Sequence, residues 1–265
     1  MPPPTQSREW NSAAYHRLSD PQVSWGKRVL ARLDLRGDEL ILDAGCGTGR
    51  LTSDLLAALP HGRVVGIDLS QNMLRAAREH LIAHLGSHLH LLACDLLHLP
   101  FGRVFDLVVS TAAFHWVLDH DRLFTVLHNT LVPGGWLEAQ CGGGPNVRRL
   151  RDRANALAAA PRFAPYFSAF HEPWLFEDAE GAAATLARAG FTQIETSVEP
   201  APTVLEDANR YREFVSNIIF HRHLEKLPSE EFRREFIDRL TELSSQDDPA
   251  FELDYWRLNL RARTT

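Results

Sequence analysis

The stretch that most constrains the fold is Leu40–Arg50, which reads LILDAGCGTGR. Its branched apolar residues lead to Asp43, and glycines then stand at alternate positions, Gly45, Gly47 and Gly49. This pattern predicts a buried strand that feeds a glycine-rich turn and then a helix. Glycines at these positions let the backbone turn sharply and let a ligand approach where a Cβ atom would clash.

The charges in this stretch favour a ligand that is cationic near the end of the strand. A dinucleotide fingerprint would carry a third glycine where Arg50 stands. The carboxylate of Asp43 would also repel a pyrophosphate bound at the N-terminus of the following helix. The same carboxylate suits the sulfonium and ammonium groups of S-adenosylmethionine, so we expect that cofactor rather than NAD.

Composition indicates an ordinary globular protein that does not bind nucleic acid. The 265 residues suffice for one large domain or for a domain with a substantial insertion. Hydrophobic residues make up 45% and charged residues 23%, which is typical of globular chains. A net charge of −6 and a pI of about 6.1 give no electrostatic footprint for nucleic acid.

The cysteines and the apolar runs bear on metals, membranes and location. Cys46, Cys94 and Cys141 have no metal-ligand spacing and form no even disulfide set, so we expect no metal. No apolar run reaches membrane-spanning length, and the opening MPPPTQS lacks the basic and apolar regions of a signal peptide. We therefore expect a cytoplasmic protein without a membrane partner. The sequence does not indicate an oligomeric state.

Two further strand-like segments end in aspartates. A second strand is expected within residues 62–69, with its end at Asp68, and a third strand, HLLACD, ends at Asp95. Gly45 and Asp68 are 23 residues apart (68 − 45 = 23), close to the roughly 20 expected for an acid that binds a ribose diol. Because the carboxyl ends of parallel strands meet at one edge of a sheet, these carboxylates are candidates for one site.

Strands alternate with amphipathic helices up to about residue 145. Fourth and fifth strands are expected over residues 104–111 and in WLEAQC. Helices are expected after the glycine-rich turn, from a Ser70 cap to Gly86, and after Asp119. This alternation predicts an α/β fold with a doubly wound, mostly parallel sheet.

The order of elements changes in the second half of the chain. Helices are predicted at Asn146–Ala160, at Ala182–Ala189 and twice between residues 200 and 249, with strands at FTQIETSVE and from Phe251. We therefore expect an N-terminal tail and lid over 1–33, helical in its second half. A cofactor-binding core would follow over 34–145. Residues 146–265 would complete the sheet and add helical insertions that cover the substrate.

Several of these motifs resemble those of the class I S-adenosylmethionine-dependent methyltransferases. The stretches LDAGCGTGR, GIDLS and ACDL are similar to the first three motifs of that family, and PGGWLEAQ is similar to the turn and strand after the fourth. More narrowly, EWNSAAY, STAAFHWVLDHDRLF and YWRLNLRAR resemble the trans-aconitate methyltransferases and related small-molecule carboxyl methyltransferases. The resemblance implies a Rossmann-like fold and an enzyme that converts S-adenosylmethionine to S-adenosylhomocysteine.

The resemblance also implies a set of cofactor-binding residues. The methionine portion would lie against the glycine-rich turn, the ribose on the second strand, the adenine on the third, and the sulfonium near the fourth. Aromatic residues of the N-terminal lid would close over the cofactor. The implied residues are, in that order, Asp43, Gly45, Cys46 and Gly47; Asp68 and Leu69; Asp95 and Leu96; Ser110; and Trp10 and Tyr15.

Two residues stand where the family has substrate-side aromatics, His115 and Trp116. A phenol or alcohol acceptor needs a base, and His115 is then the candidate. A carboxylate acceptor is already ionised at neutral pH, and either side chain would then donate a hydrogen bond to orient it. Both are therefore candidate catalytic residues, with the role of His115 open.

The expected acceptor is the carboxylate of a fairly apolar organic acid, because the stretch Phe163–Phe176 is more apolar than a tricarboxylate pocket requires. One alternative is methylation of a natural-product hydroxyl, carbon or amine, with His115 as the base. Another alternative is a non-catalytic module that only binds the cofactor. Four arginines of one predicted helix favour a solvated face over a funnel for anions; they are Arg148, Arg149, Arg151 and Arg153.

Overall fold

The computed structural model describes residues 9–18 and 20–265. Nine strands in these described residues, numbered along the chain, form two sheets. They are β1 Leu40–Ala44, β2 Arg63–Asp68, β3 Leu89–Ala93, β4 Phe105–Thr111, β5 Leu131–Gly142, β6 Thr192–Pro200, β7 Thr203–Val204, β8 Glu252–Leu253 and β9 Trp256–Arg263.

The central sheet has seven strands in the order β3-β2-β1-β4-β5-β9-β6. The strands from β3 to β5 pair in parallel, whereas β9 runs antiparallel to both of its neighbours. Strand order reverses between β1 and β4, and open α/β sheets bind ligands beyond the carboxyl ends of the strands at such a point. The predicted doubly wound, mostly parallel sheet is confirmed.

Eleven α-helices are present in the part of the chain that the structure describes, and a π-helical turn at Val215–Ile219 joins two of them. They are α1 Ser12–Leu18, α2 Asp20–Leu30, α3 Arg50–Ala58, α4 Gln71–His80, α5 His120–Thr130, α6 Arg148–Ala159, α7 Ala164–Phe167, α8 Ala179–Arg188, α9 Ala208–Phe214, α10 His221–Leu224 and α11 Glu230–Ser245. No helix in this described part is both long and apolar enough to cross a membrane.

Both faces of the sheet are covered. On one face, β4 residue Val109 packs in a cluster with Leu55 of α3 and Val29 of α2. On the other face, Val108 packs with Phe124 of α5 and with α8. Because successive side chains of a strand point to opposite faces, each central strand supplies apolar residues to both clusters and reads as a continuous apolar run.

A third apolar cluster lies outside these two layers. It joins Trp25 of α2 to residues of the insertion helices, among them Phe214, Phe220 and Phe236. The helices after residue 200 therefore have a core of their own. That core also includes Leu18 of α1 and Trp25 of α2, so it packs against the N-terminal helices.

Three element predictions were wrong in their extent. Within the described residues, the N-terminal segment is helical over Ser12–Leu18 as well, since α1 precedes α2. The helix capped by Ser70 ends at His80 rather than at Gly86, and a 3₁₀ turn follows. The final strand is split into β8 and β9, because the chain turns between them to pair with two different partners.

Candidate cofactor and acceptor site

The glycine-rich turn between β1 and α3 is the floor of the site. Gly45, Gly47 and Gly49 all have positive φ angles, 89°, 55° and 82°. A Cβ atom on Gly45 would lie 2.4 Å from that of Ala113, and one on Gly49 would lie 2.7 Å from Leu81, so both glycines are required by packing. A Cβ atom on Gly47 would meet nothing within 4 Å, because this glycine faces open space.

That open space is a cleft of about 320 Å³ at the carboxyl ends of β1 to β4. We call it the long cleft. The expected site residues that line it are Trp10, Tyr15, Gly45, Gly47, Asp68, Leu69, Asp95, Leu96 and Trp116. A smaller cavity of about 60 Å³ adjoins the turn, and Asp43, Gly45, Cys46 and Gly47 line it together with Tyr15. The fold thus brings together residues from three strand ends and the N-terminal segment.

Asp68 is held by backbone donors at the end of β2. One carboxylate oxygen accepts the Gly47 N–H at 2.9 Å, and the other accepts the Ser70 N–H at 2.8 Å. Burial raises the pKa of this carboxyl, and the backbone hydrogen bonds oppose that rise. Each oxygen keeps acceptor capacity, so the oriented carboxylate can receive two further hydroxyl donors, as a ribose diol requires.

Asp95 follows β3, the neighbour of β2, and also lines the long cleft. Its Oδ1 accepts the Leu97 N–H at 2.9 Å, which starts a short 3₁₀ turn. Its Oδ2 lies 3.9 Å from the ring of His98. The carboxylate is therefore oriented and keeps acceptor capacity for an amino group such as that of adenine.

Asp43 is a buried carboxyl, 1% exposed, beneath the glycine-rich turn. The Thr52 hydroxyl donates to it at 2.6 Å. Burial raises its pKa to about 7, with a further rise from the charge of Asp68, while the Thr52 hydrogen bond acts in the opposite direction. A cation bound nearby would favour the ionised form.

Ser110 requires a correction. Its hydroxyl donates to the Ala44 carbonyl at 2.6 Å between β4 and β1, and the residue is 1% exposed. The side chain of the next residue, Thr111, lines both the long cleft and the smaller cavity. Since neighbours on a strand point to opposite faces, Thr111 rather than Ser110 faces the two spaces.

A third space, which we call the aromatic cavity, adjoins the long cleft. It has a volume of about 50 Å³. Four residues line both spaces, Trp10, Tyr15, Ala112 and Trp116. A chemical group can therefore be transferred at this junction from a ligand in the long cleft to a ligand in the aromatic cavity.

His115 lies on the wall of the aromatic cavity with a defined tautomer. Its Nδ1 faces the Gly142 N–H at 3.3 Å and can only accept there, so the proton of the neutral ring is on Nε2. Burial lowers its pKa well below the usual value, and the positive charges of Arg257 and His120 lower it further. The ring is thus neutral at physiological pH, and Nε2 is a hydrogen-bond donor.

Arg257 is a site residue that the sequence did not single out. It is 3% exposed, it lines the aromatic cavity, and its guanidinium carbon lies 4.0 Å from the centroid of the Trp25 ring. Its Nε and Nη2 have no hydrogen-bond partner, and it forms no ion pair with any described residue. Burial lowers its pKa to about 10, so the group remains charged at neutral pH.

Sequence reasoning missed Arg257 because three arginines alternate along β9. Arg257, Arg261 and Arg263 share one side of the strand, so a sequence pattern does not separate them. Arg261 lies 3.6 Å from Glu138, and Arg263 donates to the Gly134 carbonyl. Only the tertiary structure shows that Arg257 alone is at the cavity.

A glycine-rich turn at the switch point, with carboxylates at three strand ends, is the arrangement of an S-adenosylmethionine site. The chain belongs to the class I S-adenosylmethionine-dependent methyltransferases. Residues 41–135 match the family model described as a methyltransferase domain. The chain is 30% identical over 229 residues to the trans-aconitate 2-methyltransferase of Azoarcus sp. (strain BH72), a match that covers 84% of each protein.

A second relative agrees with this family, and a solved structure has a similar fold. The chain is 34% identical over 132 residues to the trans-aconitate 2-methyltransferase of Methylobacterium radiotolerans. This match covers 50% of this chain and 49% of that relative. The fold is similar to Haemonchus contortus phosphoethanolamine N-methyltransferase 2, solved with phosphomonomethylethanolamine and S-adenosylhomocysteine. The TM-score is 0.61 at 20% identity, over 96% of this chain and 56% of that one. At this identity the likeness concerns the fold alone.

The first prediction concerns Asp68. Asp68→Asn keeps the shape but turns one acceptor oxygen into a donor, so a ribose hydrogen bond is lost. We expect S-adenosylmethionine to bind roughly tenfold to a hundredfold more weakly, as for loss of a charge-assisted hydrogen bond. Titration calorimetry measures the affinity. Asp38→Asn, at an exposed carboxylate paired with Arg36, is the matched control. Equal affinity in a folded Asp68→Asn protein would remove Asp68 from the site.

The second prediction concerns the pH dependence of cofactor binding. Asp43 is largely protonated below its pKa of about 7, and a cationic ligand binds better to the ionised form. Affinity for S-adenosylmethionine should therefore rise as pH increases from 6 to 8, by about tenfold, and then level off. Asp43→Asn keeps an acceptor for Thr52 and should lack this rise. Since the ligand's own amino group titrates identically with both proteins, the difference between the two curves isolates Asp43.

Proposed function

We propose that this methyltransferase methylates a carboxylate oxygen of a small, fairly apolar organic acid. The observation that carries the proposal is Arg257, a buried guanidinium on the wall of the aromatic cavity with no carboxylate partner among the described residues. An uncompensated buried charge is costly, and a bound carboxylate would neutralise it. The planar guanidinium also matches the geometry of a carboxylate.

Neutral donors near Arg257 support a carboxylate ligand. His115 offers Nε2–H, since its Nδ1 accepts from Gly142. Asn146 is 3% exposed, and its Oδ1 accepts the Trp256 N–H at 2.9 Å, so its amide NH₂ is the group left to donate. Both residues line the aromatic cavity. No acidic side chain does so among the described residues, so the cavity suits an anion.

The cofactor residues proposed are those of the long cleft and the turn, with Thr111 in place of Ser110. Gly47 leaves room for a ligand, and Asp43, Asp68 and Asp95 are acceptors for its cationic and hydroxyl groups. S-adenosylmethionine supplies a methyl group on a sulfonium, and transfer to a carboxylate oxygen forms an O–CH₃ bond, breaks the S–CH₃ bond and leaves the thioether S-adenosylhomocysteine. No proton is released, so the protein need only align the acceptor and exclude water.

The N-terminal segment is proposed as the lid of this site, and residues 146–265 as the substrate cover. Trp10 packs against Trp116 and His221, with ring centroids 5.1 and 4.2 Å apart. The carboxylate of Glu9 accepts N–H groups at the N-terminus of α4, and Arg17 pairs with Glu213 of the cover. These contacts support closure over the junction of cleft and cavity. The first eight residues of the expected tail lie outside the described residues.

A product analysis separates this function from its alternatives. Carboxyl methylation gives a methyl ester that alkali hydrolyses, whereas methylated hydroxyls, carbons and amines survive alkali. The protein is incubated with labelled S-adenosylmethionine and a panel of carboxylic acids, phenols and amines. Alkali treatment of the products should then release labelled, volatile methanol only from the methylated acids. Cofactor binding without turnover of any panel member would instead favour the non-catalytic module.

The third prediction tests Arg257. Arg257→Met keeps the length of the side chain and removes the charge, so kcat/KM for the acid should fall by roughly tenfold to a hundredfold or more. Affinity for S-adenosylmethionine should be unchanged. The melting temperature should stay the same or rise, because an unpaired buried charge is removed. Arg257→Lys should recover part of the activity.

Arg261→Met is the matched control for this prediction. Arg261 is on the same side of the same strand, over the Trp136 ring, but far along the strand from the cavity. Its loss should leave kcat/KM unchanged. Normal activity in Arg257→Met, or equal losses in the two variants, would contradict the role proposed for Arg257.

The fourth prediction distinguishes a hydrogen-bond donor from a base at His115. His115→Gln keeps an N–H donor but cannot accept a proton at neutral pH. If the acceptor is a carboxylate, the rate should fall by roughly tenfold or less, the scale of one neutral hydrogen bond. General-base catalysis is typically worth about 10²–10⁴-fold. A thousandfold loss, together with loss of a limb in the rate profile at acidic pH, where the lowered pKa of His115 places it, would make His115 a base and indicate a hydroxyl acceptor.

A further inference from the structure

We infer that the acceptor is a monocarboxylic acid and that the site excludes dicarboxylic and tricarboxylic acids. This inference rests on the proposed carboxyl methylation and adds the number of charges that the acceptor carries. The cavity wall carries one positive charge, and the groups around that charge decide whether a second carboxylate can be neutralised.

The aromatic cavity has one charge to offer. Among its described lining residues, Arg257 alone is ionised at neutral pH. Burial keeps His115 neutral by lowering its pKa, and burial raises the pKa of Tyr15 to about 12 and that of Tyr255 as well. One ionised carboxylate can therefore be neutralised, and a second would be buried without a counter-ion.

The arginines of α6 do not line the cavity, and two of them are already engaged in ion pairs. Arg149 and Arg153 both pair with Asp247, at 3.4 and 2.6 Å, and Arg149 also pairs with Glu252. Arg151 does not line the cavity; its guanidinium carbon lies 5.1 Å from the ring centroid of Phe176, which does. The basic cluster of α6 thus gives no second anion site in the cavity.

The wall formed by Trp174 and Phe176 is unfavourable for an anion. Trp174 and Phe176 stack with ring centroids 5.7 Å apart, and aromatic faces carry negative partial charge. The segment that holds them is flanked by two carboxylates: Glu172 lies 3.5 Å from the ring of His223, and Glu177 lies 2.9 Å from His120. A flat apolar body fits this wall, whereas a second carboxylate would meet ring faces and no cation, since Arg257 is the one charged residue among the described lining residues.

A monocarboxylic acceptor differs from the acceptor that the names of the relatives give. Trans-aconitate is a tricarboxylate, and two relatives that cover half or more of this chain are named for its methylation. Identities of 30 and 34% leave room for a different acceptor. The aromatic cavity, with one cation, favours an acid that carries a single charge.

The test compares acids that share a skeleton and differ in charge. Cinnamate and the 4-methyl ester of 4-carboxycinnamate are monoanions, whereas 4-carboxycinnamate is a dianion of nearly the same shape as the ester. Crotonate, monomethyl fumarate and fumarate repeat the comparison on a smaller skeleton. Affinities for the protein loaded with S-adenosylhomocysteine are measured by calorimetry, and kcat/KM is measured with S-adenosylmethionine. Trans-aconitate is included in both assays.

In each series we expect the monoester to bind and to be methylated like the simple acid. The dianion and trans-aconitate should be weaker by at least about a hundredfold, because a second ionised carboxylate would be buried unpaired. A dianion that binds as well as its monoester would overturn the inference. So would a monoester rejected as strongly as its dianion, since size rather than charge would then decide.

The two proposals fail in different ways. Monoanions that bind selectively but give no alkali-labile ester would contradict carboxyl methylation and leave the charge selectivity standing. Methyl esters formed equally well from monoanions and dianions would contradict the selectivity and leave carboxyl methylation standing. Binding of no acid in either series would overturn both.

Discussion

The site depends on the attachment of the glycine-rich turn to the end of β2. Gly45 and Cys46 both donate N–H groups to the Ile67 carbonyl, at 2.8 and 2.9 Å, and Gly47 donates to the Asp68 carboxylate. These bonds join the end of one strand to the turn of its neighbour. They fix the open side of Gly47 and the direction of Asp68 together, so that the floor and one wall of the long cleft are a single hydrogen-bonded unit.

The candidate residues for binding the acceptor lie on and beside β9, the strand that runs antiparallel to its neighbours in the sheet. In the register of β5 and β9, Gly142 stands opposite Arg257, and the Gly142 N–H donates to His115. One backbone position therefore connects the candidate donor to the candidate anion-binding residue. Because β9 returns between β5 and β6, the C-terminal part of the chain supplies a charge at the same end of the sheet at which the first four strands supply the candidate cofactor residues.

The sequence predicted the features that are set by local pattern. The strands, the glycine-rich turn and the aspartates that line the cleft follow from apolar runs, glycine spacing and strand ends. It could not separate Ser110 from Thr111, because both faces of a buried parallel strand are apolar and its alternation is hidden. It could not choose Arg257 from its strand, and it could not assign the His115 tautomer, since both depend on contacts with residues distant in sequence.

The two halves of the site share one electrostatic design. Asp43 is a buried carboxyl whose pKa is raised to about 7, and Arg257 is a buried guanidinium whose pKa is lowered to about 10. In each case burial disfavours the charge and the surrounding protein does not neutralise it. A cationic ligand relieves the first and an anionic ligand relieves the second, so each binding step can recover energy that the fold spends on desolvation. Tyr15 lines all three spaces with a hydroxyl that burial keeps neutral. With the proposed carboxylate as acceptor, opposite charges on the two ligands favour their approach at the junction, where a methyl group has to cross.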